Sequence, residues 1–207
     1  VALALLARYG LTATLFVPTA YVGSTSRWLA PSAEAGRRIA DWGQLVEVAD
    51  AGIECGSHSH THPELDRVTD RQAAQEARVS RQLMEDHLQR TVSSFAYPFG
   101  YHGRAARRAV AAAGYRQACA VGELPAGPGA NLMAIPRLSV EAGTDTSRLA
   151  AMLAGAAGRR ETALSESKRL IWLAWRRYGE RRAPSPGQSP LPACSPQREH
   201  SPQREQV

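Results

Sequence analysis

Three of the six histidines fall within five residues, in the stretch Gly56-Ser57-His58-Ser59-His60-Thr61-His62-Pro63. A neutral imidazole offers a lone pair to zinc and similar divalent ions, and two ligands close in sequence cost little loop entropy to bring together. His58 and His62, four residues apart, can meet one metal across a single turn of chain. His60 lies midway, and a strand running on through the segment would put all three rings on one face. Pro63 halts regular structure just after the last histidine. Two histidines do not complete a zinc site, and the competing reading is a solvated loop that happens to be rich in histidine. Cys55 and His58 share a fragment of a zinc-ligand spacing, yet residues three apart on a strand face opposite ways, which places Cys55 in a core. Glu54 shares the face of His58 and is read either as a support for it or as half of a salt bridge.

The elements that must hold these residues repeat one phrase. A helix over 1–9 closes on Gly10 and leads into a strand over 13–17. Asp41 caps a second helix that runs through Leu45, Val46 and Val48 to Gly52, and a strand over 53–57 follows. Thr69 and Gln72 form a capping-box pattern at the head of the longest helix, which carries Ala73, Ala77, Met84 and Leu88 at helical spacing. A strand over 92–96, a helix over 104–113 closing on Gly114, and a strand over 115–121 come next. Thr144 or Asp145 caps a further short helix that ends near Ala154. Helix and strand in alternation imply a parallel sheet, open or closed into a barrel. In such folds ligands bind at the C-terminal ends of the strands. His58 and the segment Tyr97-Pro98-Phe99-Gly100 both begin there. Tyr97 is read as a ring for a sugar to stack on or as a plug in the barrel mouth, and Trp42 as packing.

The net charge of +6 is uneven. Between Gly158 and Arg182 stand eight basic and three acidic residues, a balance of +5, so the body before them is close to neutral and no nucleic-acid partner is expected. A helix over 161–182 places Leu164, Ile171, Trp175 and Tyr178 on one stripe amid arginines. It would lie on a membrane surface, dock on a fused or partner domain, or pack on the outside of the barrel. From Pro184 onward Pro, Ser and Gln dominate, and Ser195-Pro196-Gln197-Arg198-Glu199 recurs as Ser201-Pro202-Gln203-Arg204-Glu205, which reads as a disordered tail. Three dispersed cysteines imply no disulfide framework and fit a cytoplasmic or membrane-peripheral setting. The domain reading is therefore 1–143, 144–183 and 184–207.

Gly56 to Leu65, followed by Ser94-Phe95-Ala96-Tyr97-Pro98-Phe99-Gly100, resembles the polysaccharide deacetylase family, also called the NodB-homology domain. Leu15-Phe16-Val17-Pro18 and Ile135-Pro136-Arg137-Leu138-Ser139-Val140 look like further segments of that family, and the likeness covers residues 1–140. The resemblance implies a distorted (β/α) barrel that hydrolyses N-acetyl, sometimes O-acetyl, groups on a carbohydrate with one divalent metal ion, zinc being the expected one. It makes His58 and His62 the metal-ligating histidines and His60 the variable residue between them. It gives Pro98-Phe99-Gly100 two tasks: a backbone N–H for the oxyanion and an aromatic ring for the sugar groove, so that Tyr97, Pro98, Phe99 and Gly100 bind substrate.

Three departures accompany it. Nothing matches the family's aspartate pair, one the third ligand and one the base, and the chain opens at the helix that should follow their strand. A fragment lacking the first strand is the expectation. Ala96 stands where the family usually has Arg, and Leu138-Ser139-Val140 lacks the histidine of the late motif. His102 is either a substitute acid or an ordinary surface histidine. The leading expectation is a metal-dependent carbohydrate deacetylase. The alternative is a non-catalytic relative that binds a glycan or a partner.

Overall fold

A computed structural model describes residues 2–26, 36–122, 126–140 and 143–154, all within one compact unit, Val1–Ser165. The basic helix expected over 161–182 and the tail over 184–207 lie outside the described residues. Five strands form one sheet in chain order: β1 (Thr14–Val17), β2 (Glu54–Ser57), β3 (Ser94–Ala96), β4 (Gln117–Val121) and β5 (Ile135–Arg137). Every pairing is parallel. The helices are α1 (Ala2–Arg8), α2 (Trp42–Asp50), α3 (Asp70–Leu88), α4 (Arg104–Ala112) and α5 (Thr146–Leu153). Among the described residues no helix is long and apolar enough to cross a membrane.

The local signals explain where these elements begin and end. Asp41 with Gln44, and Thr69 with Gln72, form reciprocal capping boxes that satisfy amides the helices leave open. Asp145 accepts from the Arg148 amide and starts α5. Gly10, Gly52 and Gly114, at φ of 61°, 85° and 95°, turn the chain out of helix towards strand, where a Cβ would be strained.

The sheet carries no β5–β1 hydrogen bonding among the described residues, so the expected barrel is not closed by a ladder. It is nevertheless curled. Strands about 4.8 Å apart would set β1 and β5 about 19 Å apart in a flat sheet, with side chains standing perpendicular to it. Yet the Arg137 guanidinium lies over the Phe16 ring, 5.7 Å from its centroid. Phe16 covers Gly56 closely enough that a Cβ there would fall 2.6 Å from the ring, so this strand position has room only for glycine.

Behind the sheet, Phe95 meets Tyr97 and Tyr115 at centroid distances of 5.4 and 5.1 Å. α3 buries Ala73, Ala77, Ser80, Met84 and Leu88. A buried polar link crosses this layer: Ser57 at the end of β2 donates to the Ser80 hydroxyl at 2.8 Å, and Tyr115 donates to the Ala77 carbonyl at 3.2 Å. Cys55 is buried against the Leu45 carbonyl, and Trp42 stacks on His87 at 4.0 Å, both in packing roles. Glu54 does not support His58. It sits at the opposite end of β2, accepting from the hydroxyls of Thr14 and Ser94, and Gln117 extends that chain onto β4.

Candidate active site

β2 ends at Ser57, and the expected continuation of strand through the histidines does not occur. The His58 amide makes the last sheet contact, to the Val17 carbonyl at 2.9 Å. The chain then bends twice, at Ser59 (φ 66°) and His62 (φ 61°). Left-handed backbone at non-glycine residues costs of order 1–3 kcal/mol each and persists only where surroundings enforce it. Here they do. The Ser59 and His60 carbonyls accept from the Thr19 and Ala20 amides, and the His62 amide donates to Ser59 Oγ at 3.1 Å. The bends bring the His58 and His62 rings edge to face, 4.8 Å between centroids. His60 is turned away, its Nδ1 within 2.9 Å of Thr19 Oγ1.

His58 Nδ1 lies 2.7 Å from the Ala96 carbonyl oxygen. A carbonyl can only accept, so the proton is on Nδ1 and Nε2 carries the lone pair. This carbonyl on β3 orients the ring in the tautomer that would ligate through Nε2. Burial lowers the pKa of His58, opposed by that hydrogen bond and aided by the Arg137 charge. Burial, with the neighbouring His58, pushes His62 down to about 4. Both rings are neutral near pH 7, the form that binds metal. A divalent ion fits the chemistry of this donor pair. Among the described residues no group of three His, Cys, Asp or Glu stands together, so the described part of the site offers an ion this pair of imidazoles.

The low pKa of His62 has a stability consequence. An unfolded histidine titrates near 6.5, so below that pH the unfolded chain takes up protons that the folded chain refuses. In chelator-treated protein, stability is expected to be full above pH 6.5 and to fall as pH drops towards 4. Urea midpoints across this range measure it, and His62→Gln should flatten the slope. An unchanged slope in that variant would refute the assignment.

From β3, Pro98–Gly100 forms a tight turn with Phe99 at φ 56° and Gly100 at φ 77°. Three of the four non-glycine residues with positive φ among those described, Ser59, His62 and Phe99, thus lie at this one place. The Phe99 ring meets His62 edge to face at 4.9 Å and is 45% exposed, so it presents a solvent-facing aromatic wall beside the histidines. Pro98 has no N–H, and the Gly100 amide donates to the Tyr97 carbonyl at 2.8 Å. The amide this segment can offer an oxyanion is therefore that of Phe99.

The sugar-facing role expected of Tyr97 is corrected. Its side chain is fully buried, and its hydroxyl donates to the Met133 carbonyl at 2.9 Å, which pushes the ring into the packing layer. Pro98 and Gly100 are also buried and shape the turn, leaving Phe99 as the exposed member of the four. His102 packs on Tyr97 at 4.9 Å, and its Nδ1 accepts from the Arg107 guanidinium at 3.1 Å. That assigns its proton to Nε2. Sequence reading missed the Ala96 carbonyl, because a backbone oxygen leaves no mark in residue type, and the Arg137 charge that acts on His58.

Comparison with known proteins places this geometry in a lineage. The family model for polysaccharide deacetylase matches residues 1–118, more than half of the chain, and the chain belongs to that family. A search of curated protein sequences returned no match. Among solved structures, the Streptococcus pyogenes deacetylase PplD in complex with acetate is 20% identical, with a TM-score of 0.62, over 73% of this chain and 63% of that one. The deacetylase domain of BpsB from Bordetella bronchiseptica is 24% identical, with a TM-score of 0.59, over 66% of this chain and 64% of that one. IcaB from Ammonifex degensii is 19% identical, with a TM-score of 0.61, over 76% and 66%. These likenesses establish the fold. The chain spans less than two thirds of the length of PplD and of the BpsB domain.

Proposed function

We propose that this chain carries the histidine side of a divalent-metal centre, zinc in the first instance, that hydrolyses N-acetyl or O-acetyl groups on a carbohydrate. The observation that carries the reading is the His58–His62 pair, with His58 locked by the Ala96 carbonyl in its ligating tautomer beside the exposed Phe99. His58 Nε2 and His62 would hold the ion, with further coordination from a group outside the described residues. When bound, such an ion polarises an acyl oxygen and acidifies a water.

The chain's own residues supply the rest. Ala96 O keeps the His58 lone pair aimed, and the left-handed turn at Phe99 sets the residue whose ring meets His62. The Phe99 amide is the donor for the tetrahedral oxyanion, a contribution worth roughly 10²–10³ in rate where such donors have been removed. The Phe99 ring gives a sugar an apolar face to lie against. His102, packed on Tyr97, would act as acid for the departing amine only once protonated at Nδ1, at the expense of the hydrogen bond it accepts there from Arg107.

The test is acetate release from N-acetylated oligosaccharides with added zinc, by this chain and by a version lengthened by whatever coding sequence lies upstream. Metal-loaded lengthened protein should release acetate, and His58→Ala should cut the rate more than a hundredfold, beyond the roughly 10–100-fold expected of a residue that only supports a ligand. Glycan binding without acetate release from N- or O-acetylated sugars, in protein that folds and holds zinc, would favour a non-catalytic binding module instead.

A further inference from the structure

One side chain outside the site makes three of the hydrogen bonds that hold the histidine loop. Glu76 Oε2 accepts from the consecutive backbone amides of His60 and Thr61, both at 2.8 Å, and Oε1 accepts from Thr61 Oγ1 at 2.6 Å. These amides have left the β2 ladder, and that of half-buried His60 must find a partner elsewhere, while exposed Thr61 has water as an alternative. Bonds to an ionised carboxylate are shorter and roughly twice as strong as neutral ones.

The placement is built in. The Ser57–Ser80 hydrogen bond registers α3 against the last residue of β2. Glu76 lies four residues, about one turn, before Ser80 on the same helix face, which sets its carboxylate level with the loop that leaves the strand. On the other side, the amides of Thr19 and Ala20 grip the Ser59 and His60 carbonyls. The two strained residues, Ser59 and His62, flank the pair of amides that Glu76 holds.

We propose that Glu76 is a positioning residue of the histidine pair: its carboxylate fixes the backbone between His58 and His62 and thereby sets their affinity for a divalent metal ion. This rests on the metal-site reading above. Without the carboxylate, the loop is free to relax from its left-handed bends, and the two rings lose their common focus. A glutamine keeps one oxygen for the two amides, so it should restore most of what alanine loses.

Zinc affinity, measured by competition with a chromophoric chelator, tests the proposal on the full chain and its Glu76→Ala, Glu76→Gln and His58→Ala variants. Glu76→Ala should bind zinc about 10–100-fold more weakly, and Glu76→Gln should recover most of the loss. In metal-free protein, amide exchange at His60 and Thr61 should speed up in Glu76→Ala while exchange in β3 and α4 stays unchanged. Wild-type affinity in Glu76→Ala, or no recovery in Glu76→Gln, overturns the proposal. If Glu76→Ala does not fold, Glu76→Asp replaces it. The shorter carboxylate should then bind zinc more weakly than Glu76→Gln, and the reverse order overturns the proposal. If His58→Ala binds zinc as well as wild type, the metal-site reading fails and the affinity half of the proposal falls with it; exchange then judges the loop-fixing half alone, which faster exchange at His60 and Thr61 upholds and unchanged protection overturns.

Discussion

Gly100→Ala is expected to unseat both the fold and the site. Gly100 sits at φ 77°, and a Cβ there would fall 2.0 Å from Val121 Cγ2 and 2.6 Å from the Val121 backbone nitrogen. The left-handed conformation costs an alanine about 1–2 kcal/mol. Overpacking adds about 1–3 kcal/mol, and here a backbone atom is one of the obstacles, so no rotamer change relieves it. A combined loss of about 2–5 kcal/mol lowers Tm by about 5–20 °C in a domain of this size. The displaced turn also carries Phe99, so its ring should leave His62. Thermal melting and the aromatic shifts of Phe99 report the two effects. A Tm within about 2 °C of wild type would show that β4 gives way more easily than its backbone position implies.

The second large effect concerns zinc. If His58 and His62 both ligate, removing both abolishes binding, whereas Cys55 and His60, which face the core and Thr19, contribute nothing. The gain is measurable as stability: an ion held at a hundred times its Kd raises the unfolding free energy by about 2.7 kcal/mol. Wild-type melting should therefore rise with zinc and return with chelator. The His58→Ala, His62→Ala double variant should show no rise. Equal zinc-dependent shifts in the two proteins would remove the histidine pair from the metal site.

What the sequence discloses about this molecule is what local chemistry decides. Asp41, Thr69 and Asp145 announce helix starts because a cap needs only its own next three residues. Gly10, Gly52 and Gly114 announce helix ends for the same reason. β5 left no such trace. It has three residues, with Pro136 at the centre, and a proline is tolerated because β5 is the last strand in the sheet order and, among the described residues, its outer side has no ladder to donate to.

The site divides in the same way. The spacing of His58 and His62 was visible as chemistry, but the loop's turning of His60 towards Thr19 depends on contacts across 41 residues. Tyr97 reads equally as a sugar platform or as a plug. Its burial depends on the Met133 carbonyl, 36 residues away. Glu76 reads as one more charge on a helix until the amides of His60 and Thr61 are seen to converge on it.

The order of the sheet sets a schedule for making the site during synthesis. Each strand docks beside its immediate predecessor, so the sheet can grow as the chain emerges, without waiting for a distant segment to return. His58 nevertheless precedes its carbonyl partner Ala96 by 38 residues, about two to eight seconds of translation at roughly 5–20 residues per second. Through that interval the nascent chain holds both histidines in sequence but not the tautomer lock on His58. The histidine pair takes its folded arrangement only when β3 arrives, so an ion bound by that pair would be acquired late in the life of the newly made protein.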